Sequence, residues 1–260
     1  MIRHAAAAAC LIVTVAASVS AQQPLAAPPV SPQFMSRFDF HMSAAGLSDA
    51  DRRFSWDTHW GGEFDFVDYV RGRMMFLADY QVILGDEFRM FDPNQGNYTL
   101  AVSGSVRLKG TELAGVLHHV SRHLSDRPNR DAIAWNLVEA RVMRRLEMGK
   151  QALDVRVEGG RVAARAFVDY VWIGALDSTL RRTISPHTGV YGRVFTDTYI
   201  VDREIAGRRN QAGARVELGI RVTGGAGALD LFGGYERVVD AYPLDRQSRQ
   251  WAFAGFRLVN

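Results

Sequence analysis

From Phe38 onward, apolar and polar residues alternate with period two, the mark of strands that present two unlike faces. Asn97 to Leu108 shows it most cleanly. Tyr98, Leu100, Val102, Val106 and Leu108 fall on one face, and Thr99, Ala101, Ser103, Ser105 and Arg107 on the other. Ala212 to Val222 repeats the pattern, setting Ala214, Val216, Leu218, Ile220 and Val222 against Arg215, Glu217 and Arg221. Arg73 to Leu84, Trp135 to Leu146, Leu153 to Glu158 and Leu229 to Tyr235 fit the same template, and no stretch carries a helical apolar stripe of comparable length.

The runs are about ten to thirteen residues long. A soluble sandwich uses strands of about five to six, whereas a strand tilted across a bilayer needs about nine to eleven. The chain therefore reads as all-β, a transmembrane antiparallel β-barrel of about twelve strands. Candidate strands lie near 36–45, 54–66, 72–84, 97–108, 111–121, 134–145, 150–166, 171–182, 189–201, 212–223, 227–238 and 249–259, with Gly159-Gly160 expected to form a bulge or a turn. Short links at Lys109-Gly110, Glu147 to Lys150 and Gly224-Gly225 alternate with longer polar ones at Gly85 to Gly96, Arg122 to Ile133, Asp202 to Gln211 and Asp240 to Ser248. Short periplasmic turns and longer external loops are the expected asymmetry, and it places 122–133 outside the cell.

The N-terminus adds a compartment. Arg3 and His4, an apolar run from Ala5 to about Ala17, and Val19-Ser20-Ala21 suit a cleaved secretory signal over residues 1–21, so the protein is expected in the bacterial outer membrane. Residues 22–33, rich in proline, read as an extended leader, and 34–260 as the barrel. Cys10, the single cysteine, leaves with the signal, which excludes disulfides and thiol catalysis from the mature chain. The net charge of +3 is no footprint for nucleic acid.

Candidate chemistry concentrates in Leu117 to Asn136, LHHVSRHLSDRPNRDAIAWN. His119 and Ser121 are two apart on one strand and share a face. If Lys109-Gly110 is a two-residue turn, Leu108 opposes Thr111, His119 falls opposite Leu100, and Ser121 opposite Tyr98, on the lipid side. Asn136 shares parity with Val138 and Val142, so it too is expected to face lipid. Polar groups exposed to lipid are costly, and the grouping asks for a reason.

Here the chain resembles the outer-membrane phospholipase A family, which carries H-x-S-N-G on one strand and W-N at the start of the next. His119-Val120-Ser121 matches H-x-S, Trp135-Asn136 matches W-N, and Arg122-His123 replaces asparagine-glycine. The resemblance implies a twelve-stranded barrel in which Ser121 is the nucleophile, His119 its base and Asn136 the residue that orients the histidine. It also implies outer-membrane lipids as partners and calcium as a cofactor, to which Asp126 could contribute. His119-Val120-Ser121-Arg122-His123-Leu124-Ser125-Asp126 equally resembles H-x-S-x-H-L-G-D, found in an uncharacterised family of exported bacterial proteins; that likeness implies export and names no reaction.

The chemistry stands without the resemblance. A serine hydroxyl becomes nucleophilic when a neutral imidazole takes its proton, and an asparagine on the far ring nitrogen fixes the tautomer. Acyl-ester hydrolysis at the outer leaflet follows. The bland alternative is that rim polar residues meet headgroups, on a non-catalytic structural barrel or a small pore, whose inward charges (Arg73, Asp79, Arg156, Arg215, Glu217, Arg221) either pair to plug the lumen or line a channel. His118, His119 and His123 fit a metal site poorly, because His118 points opposite to His119. Asp92, Asn94, Gln95 and Asn97, after Asp86 and Glu87, have calcium-type oxygen chemistry but read better as a solvated turn. Trp56, Trp60, Trp135, Trp172 and Trp251 read as girdle or packing residues.

Overall fold

A computed structural model describes residues 27–124 and 133–260. The signal and residues 22–26 of the proline-rich leader, like Ser125 and Asp126, lie outside the described residues. Among those described, the strands are β1 (Gln33–Leu47), β2 (Trp56–Asp68), β3 (Arg73–Gly85), β4 (Asp92–Leu108), β5 (Thr111–Leu124), β6 (Ile133–Met148), β7 (Gln151–Ala166), β8 (Tyr170–Ser185), β9 (Thr188–Val201), β10 (Gln211–Thr223), β11 (Ala228–Tyr242) and β12 (Gln247–Val259). One short helix, α1 (Arg203–Ala206), joins β9 to β10. Each strand pairs antiparallel with its sequence neighbours, and β12 pairs back onto β1, from His41↔Val259 to Leu47↔Phe253, closing the barrel.

Closure removes the sheet edges, so every strand can present apolar side chains outward without leaving backbone groups unpaired in lipid. The outward set is the one the alternation marks: Leu100, Val102, Val106 and Leu108 on β4, and Val216, Leu218, Ile220 and Val222 on β10, are all exposed. Among the tryptophans, Trp56, Trp60 and Trp172 are exposed on the outside, whereas Trp135 and Trp251 are buried.

The tight end of the barrel follows from turn chemistry. Lys109 and Gly110 both take positive φ (47° and 80°), the two-residue turn that matches strand twist, and it fixes Leu108↔Thr111. Gly149, at φ 63°, makes the equivalent turn between β6 and β7. Gly159 and Gly160 form neither turn nor bulge, contrary to expectation. Strand β7 runs straight through them, and the irregularity falls beyond, opposite Asn136 and Leu137. Gly160 is needed for closeness: a Cβ there would lie 2.4 Å from the Glu139 Cβ.

Inside, the charges pair. Arg73 bridges Asp65 (3.0 Å) and Glu112 (2.8 Å); Asp177 receives Arg193 (2.8 Å) and Arg156 (3.2 Å). Glu217 holds Arg215 (2.9 Å) and Arg257 (3.0 Å), and Arg221 meets Asp230 at 2.6 Å. Asp79 joins His41 (2.7 Å) to His59 (2.9 Å). Between these pairs sits an apolar cluster of Phe54, Tyr191, Phe232, Trp251 and Phe253. Phe54 comes from the β1–β2 connection and is tucked inward, 1% exposed. The pairs and this cluster fill part of the lumen, beside a cavity lined by His59, Asp79, His118, Glu139, Arg141 and Glu158.

The strands reach 13 to 17 residues, longer than the alternation predicts. In β4, β5 and β11 the extra length is at the end bearing the longer connections, and the FDPNQGNY segment shows why. It is not a solvated turn: β4 begins at Asp92, and Asp92, Asn94 and Gln95 are almost wholly buried. Gln95 Nε2 donates to the Ala241 carbonyl (2.9 Å) and Asn97 Nδ2 to Gln81 Oε1 (2.8 Å), so side chains that look like loop chemistry tie strands together inside the mouth. Arg208, just after α1, clamps the same mouth, reaching Asp169 and Asp240 at 2.7 Å each.

Candidate active site on the lipid-facing wall

Strands β4, β5 and β6 bring the candidate residues together by register alone. Three cross-strand rows run down the outer surface: Tyr98, Ser121 and Ala134; then Leu100, His119 and Asn136; then Val102, Leu117 and Val138. The third row is plain membrane surface, with Leu117 62% and Val138 55% exposed. Ser121 is four residues above Leu117, about 13 Å along the strand, which sets the polar row at the upper rim of the apolar belt.

Asn136 faces His119 directly, and His119 Nδ1 donates to Asn136 Oδ1 at 2.7 Å. With its proton on Nδ1, the imidazole keeps the Nε2 lone pair free. Ser121 shares the same outer face. Its hydroxyl, however, is engaged with His123: Oγ to Nε2 is 2.7 Å. His119 and His123 are its neighbours two residues to either side on β5, so both imidazoles flank it.

An aromatic ladder continues from His123 across the outside of the barrel. The His123 ring meets Tyr98 edge-on at 5.5 Å, Tyr98 stacks on Tyr80 at 4.5 Å, and Tyr80 on Trp60 at 6.2 Å. Such rings prefer the headgroup level of a bilayer, which agrees with the height of Ser121.

The intervening residues of β5 point inward. Arg122, which stands where the phospholipase motif has asparagine, donates to the Asp240 carbonyl (2.7 Å), the Ala241 carbonyl (3.0 Å) and Gln95 Oε1 (2.9 Å). It anchors the wall behind Ser121 and offers nothing to the outer face. His118 also points inward, 3.3 Å from Glu139, so the three histidines do not converge on a metal. The Ser121–His123 contact is what the sequence reading lacked, although H-x-S-x-H places all three residues on one face.

No protein-family model and no curated protein matches the chain. Solved structures do. The protein is similar to outer membrane phospholipase A from Escherichia coli, with a TM-score of 0.52 and 10% identity over 86% of this chain and 92% of that one. The fold is that of an outer-membrane barrel. A second neighbour, the outer membrane phospholipase dimer with bound calcium from Salmonella typhi, gives a TM-score of 0.53 and 11% identity, over 85% of this chain and 89% of that chain. Identity this low carries the architecture alone, and the chemistry has to come from the residues.

Proposed function

We propose that this outer-membrane barrel hydrolyses acyl esters of membrane lipids at the outer leaflet. Ser121 is the nucleophile, His119 its general base, and Asn136 the residue that orients the base. The observation that carries the reading is the 2.7 Å bond from His119 Nδ1 to Asn136 Oδ1, made on the lipid-facing wall beside a serine. Bonded to each other, His119 and Asn136 leave one imidazole nitrogen basic on the face that Ser121 shares.

In the reaction, Ser121 turns its hydroxyl to His119 Nε2, which takes the proton as Oγ attacks the ester carbonyl. Asn136 accepts from the imidazolium Nδ1–H and keeps the ring in place. The imidazolium then protonates the departing alcohol, and water repeats the cycle to release the fatty acid. A lipid-facing site meets its substrate without extracting it from the membrane, and the Trp60–Tyr80–Tyr98 ladder suits the interfacial part of that substrate.

Calcium is implied by resemblance only, and the described residues do not fit it. They contain no group of three or more aspartate, glutamate, histidine or cysteine side chains placed to hold a metal. No step above passes through the ion. The pore alternative is weakened by the paired lumenal charges; a structural barrel remains the competing reading.

The reading is tested with a long-chain alkyl fluorophosphonate, which reports an activated serine. Refolded wild type should acquire one adduct on the peptide carrying Ser121, and Ser121→Ala none. No adduct on the wild type, or equal labelling of both, overturns the assignment.

A further inference from the structure

We propose that Ser121 works between two alternative bases and that His123 is the second. The inference rests on the hydrolase reading and adds a catalytic residue to it. Residues two apart on a strand lie on one face about 6.6 Å apart along the chain, so a serine with a histidine on each side can offer its hydroxyl to either by turning about one side-chain bond. Ser121 has both: His119 precedes it and His123 follows it. The structure records the hydroxyl on His123, at 2.7 Å from Nε2, a normal nucleophile-to-base distance.

The two imidazoles are held differently, and neither depends on the other. His119 is fixed through its Nδ1 by Asn136 on β6. His123 is fixed through its ring by Tyr98 on β4, edge-on at 5.5 Å. Each therefore keeps its geometry when the other is removed, and the nucleophile sits where the holds from the two neighbouring strands meet. Arg122, between Ser121 and His123, faces the lumen, where its three hydrogen bonds pin the backbone that presents both side chains outward.

The step through His123 balances as the step through His119 does. The lone pair on His123 Nε2 takes the Ser121 proton while Oγ bonds to the acyl carbon and the carbonyl π pair moves onto oxygen. Collapse re-forms the carbonyl, breaks the bond to the leaving alcohol, and that alcohol takes the proton from Nε2. Water then attacks the acyl-serine in the same way, returning the free hydroxyl and a fatty acid.

The test is the rate of labelling by the alkyl fluorophosphonate in four refolded proteins: wild type, His119→Ala, His123→Ala and the double variant, with heat-modifiable gel migration confirming a folded barrel. If His123→Ala does not fold, His123→Gln replaces it, since glutamine keeps a polar side chain at the rim and is no base. At least one single variant should keep about half the wild-type rate or more, and each should label well above the double variant, which falls by about 10² to 10⁴, the range general base catalysis supplies. Wild-type labelling in His123→Ala with His119→Ala as slow as the double variant overturns the second base and leaves the hydrolase reading intact. The reverse pattern would make His123 the sole base, overturning the pair of bases and the role of His119 while leaving Ser121 as the nucleophile. Failure of the wild type to label, or equal labelling of Ser121→Ala, overturns both readings together.

Discussion

Replacing Asn136 by alanine removes the acceptor of the His119 Nδ1 proton and little else, because Asn136 lies in the outer row between His119 of β5 and Ala164 of β7. A neutral hydrogen bond of this kind contributes about 0.5 to 1.5 kcal/mol, and one to a charged partner about 1.5 to 3 kcal/mol. The second figure applies in the transition state, where His119 has become an imidazolium. At about 1.4 kcal/mol per tenfold, Asn136→Ala should slow the route through His119 by roughly 10- to 100-fold, and lower kcat by no more than His119→Ala does. KM should hardly move, since Asn136 is not the surface that meets the acyl chains; those meet Leu117, Val102 and Val138 one row below. Asn136→Asp, which retains an acceptor oxygen, should recover most of the loss. The assay is release of a fluorescent fatty acid from a labelled phospholipid in mixed micelles, with refolded protein and initial rates taken over a range of lipid mole fraction. A kcat for Asn136→Ala equal to that of the wild type would refute the orienting role, and a change confined to KM would turn it into a binding role.

Other consequences concern the scaffold. Arg208→Ala removes the nearest cation from buried Asp169 and Asp240, leaving Asp169 only Arg246 at 3.7 Å, and losing one partner of a buried pair costs up to about 3 to 5 kcal/mol; the temperature at which the barrel loses its folded gel migration should drop, and no change would mean the mouth is held elsewhere. Gly110→Val forces a branched side chain into φ 80° at a cost of about 1 to 2 kcal/mol, so refolding yield should fall while Gly104→Val, on an open outward face, is tolerated. In the β1–β2 connection, the hydrogen bond from Arg53 holds the Asp51 carboxyl down to about 2. Its folded value lies below its unfolded one, so its contribution is complete above about pH 4 and lost as pH falls through 2. Acid unfolding of Asp51→Asn should lack that component between pH 4 and 2, and an unchanged acid profile would show that the pair contributes nothing.

Much of this was legible in the chain. Strand parity gave the outward and inward faces because an outer-membrane barrel separates them sharply, and the Lys109-Gly110 turn set the register that puts His119 opposite Leu100 and Ser121 opposite Tyr98. What escaped has a common physical cause. A barrel's lumen is polar, so Asp92, Asn94, Gln95 and Asn97 can continue a strand there, although an acidic residue, a proline and a glycine within five residues resemble a turn. Phe54 escaped for the converse reason: it leaves a polar connection to fill the lumen, a choice that depends on Trp251 and Arg249 on the neighbouring strand β12. The Ser121–His123 bond depends on side-chain rotation, to which strand periodicity is blind, although the pattern H-x-S-x-H had already placed the three residues on one face.

The central claim is that Ser121 cleaves lipid acyl esters at the outer rim of the barrel. Its most direct test is fatty acid release, followed by mass spectrometry, from phospholipid and lipid A presented to refolded wild type and to Ser121→Ala. The account predicts release by the wild type and only background from the variant; equal release by the two would contradict it.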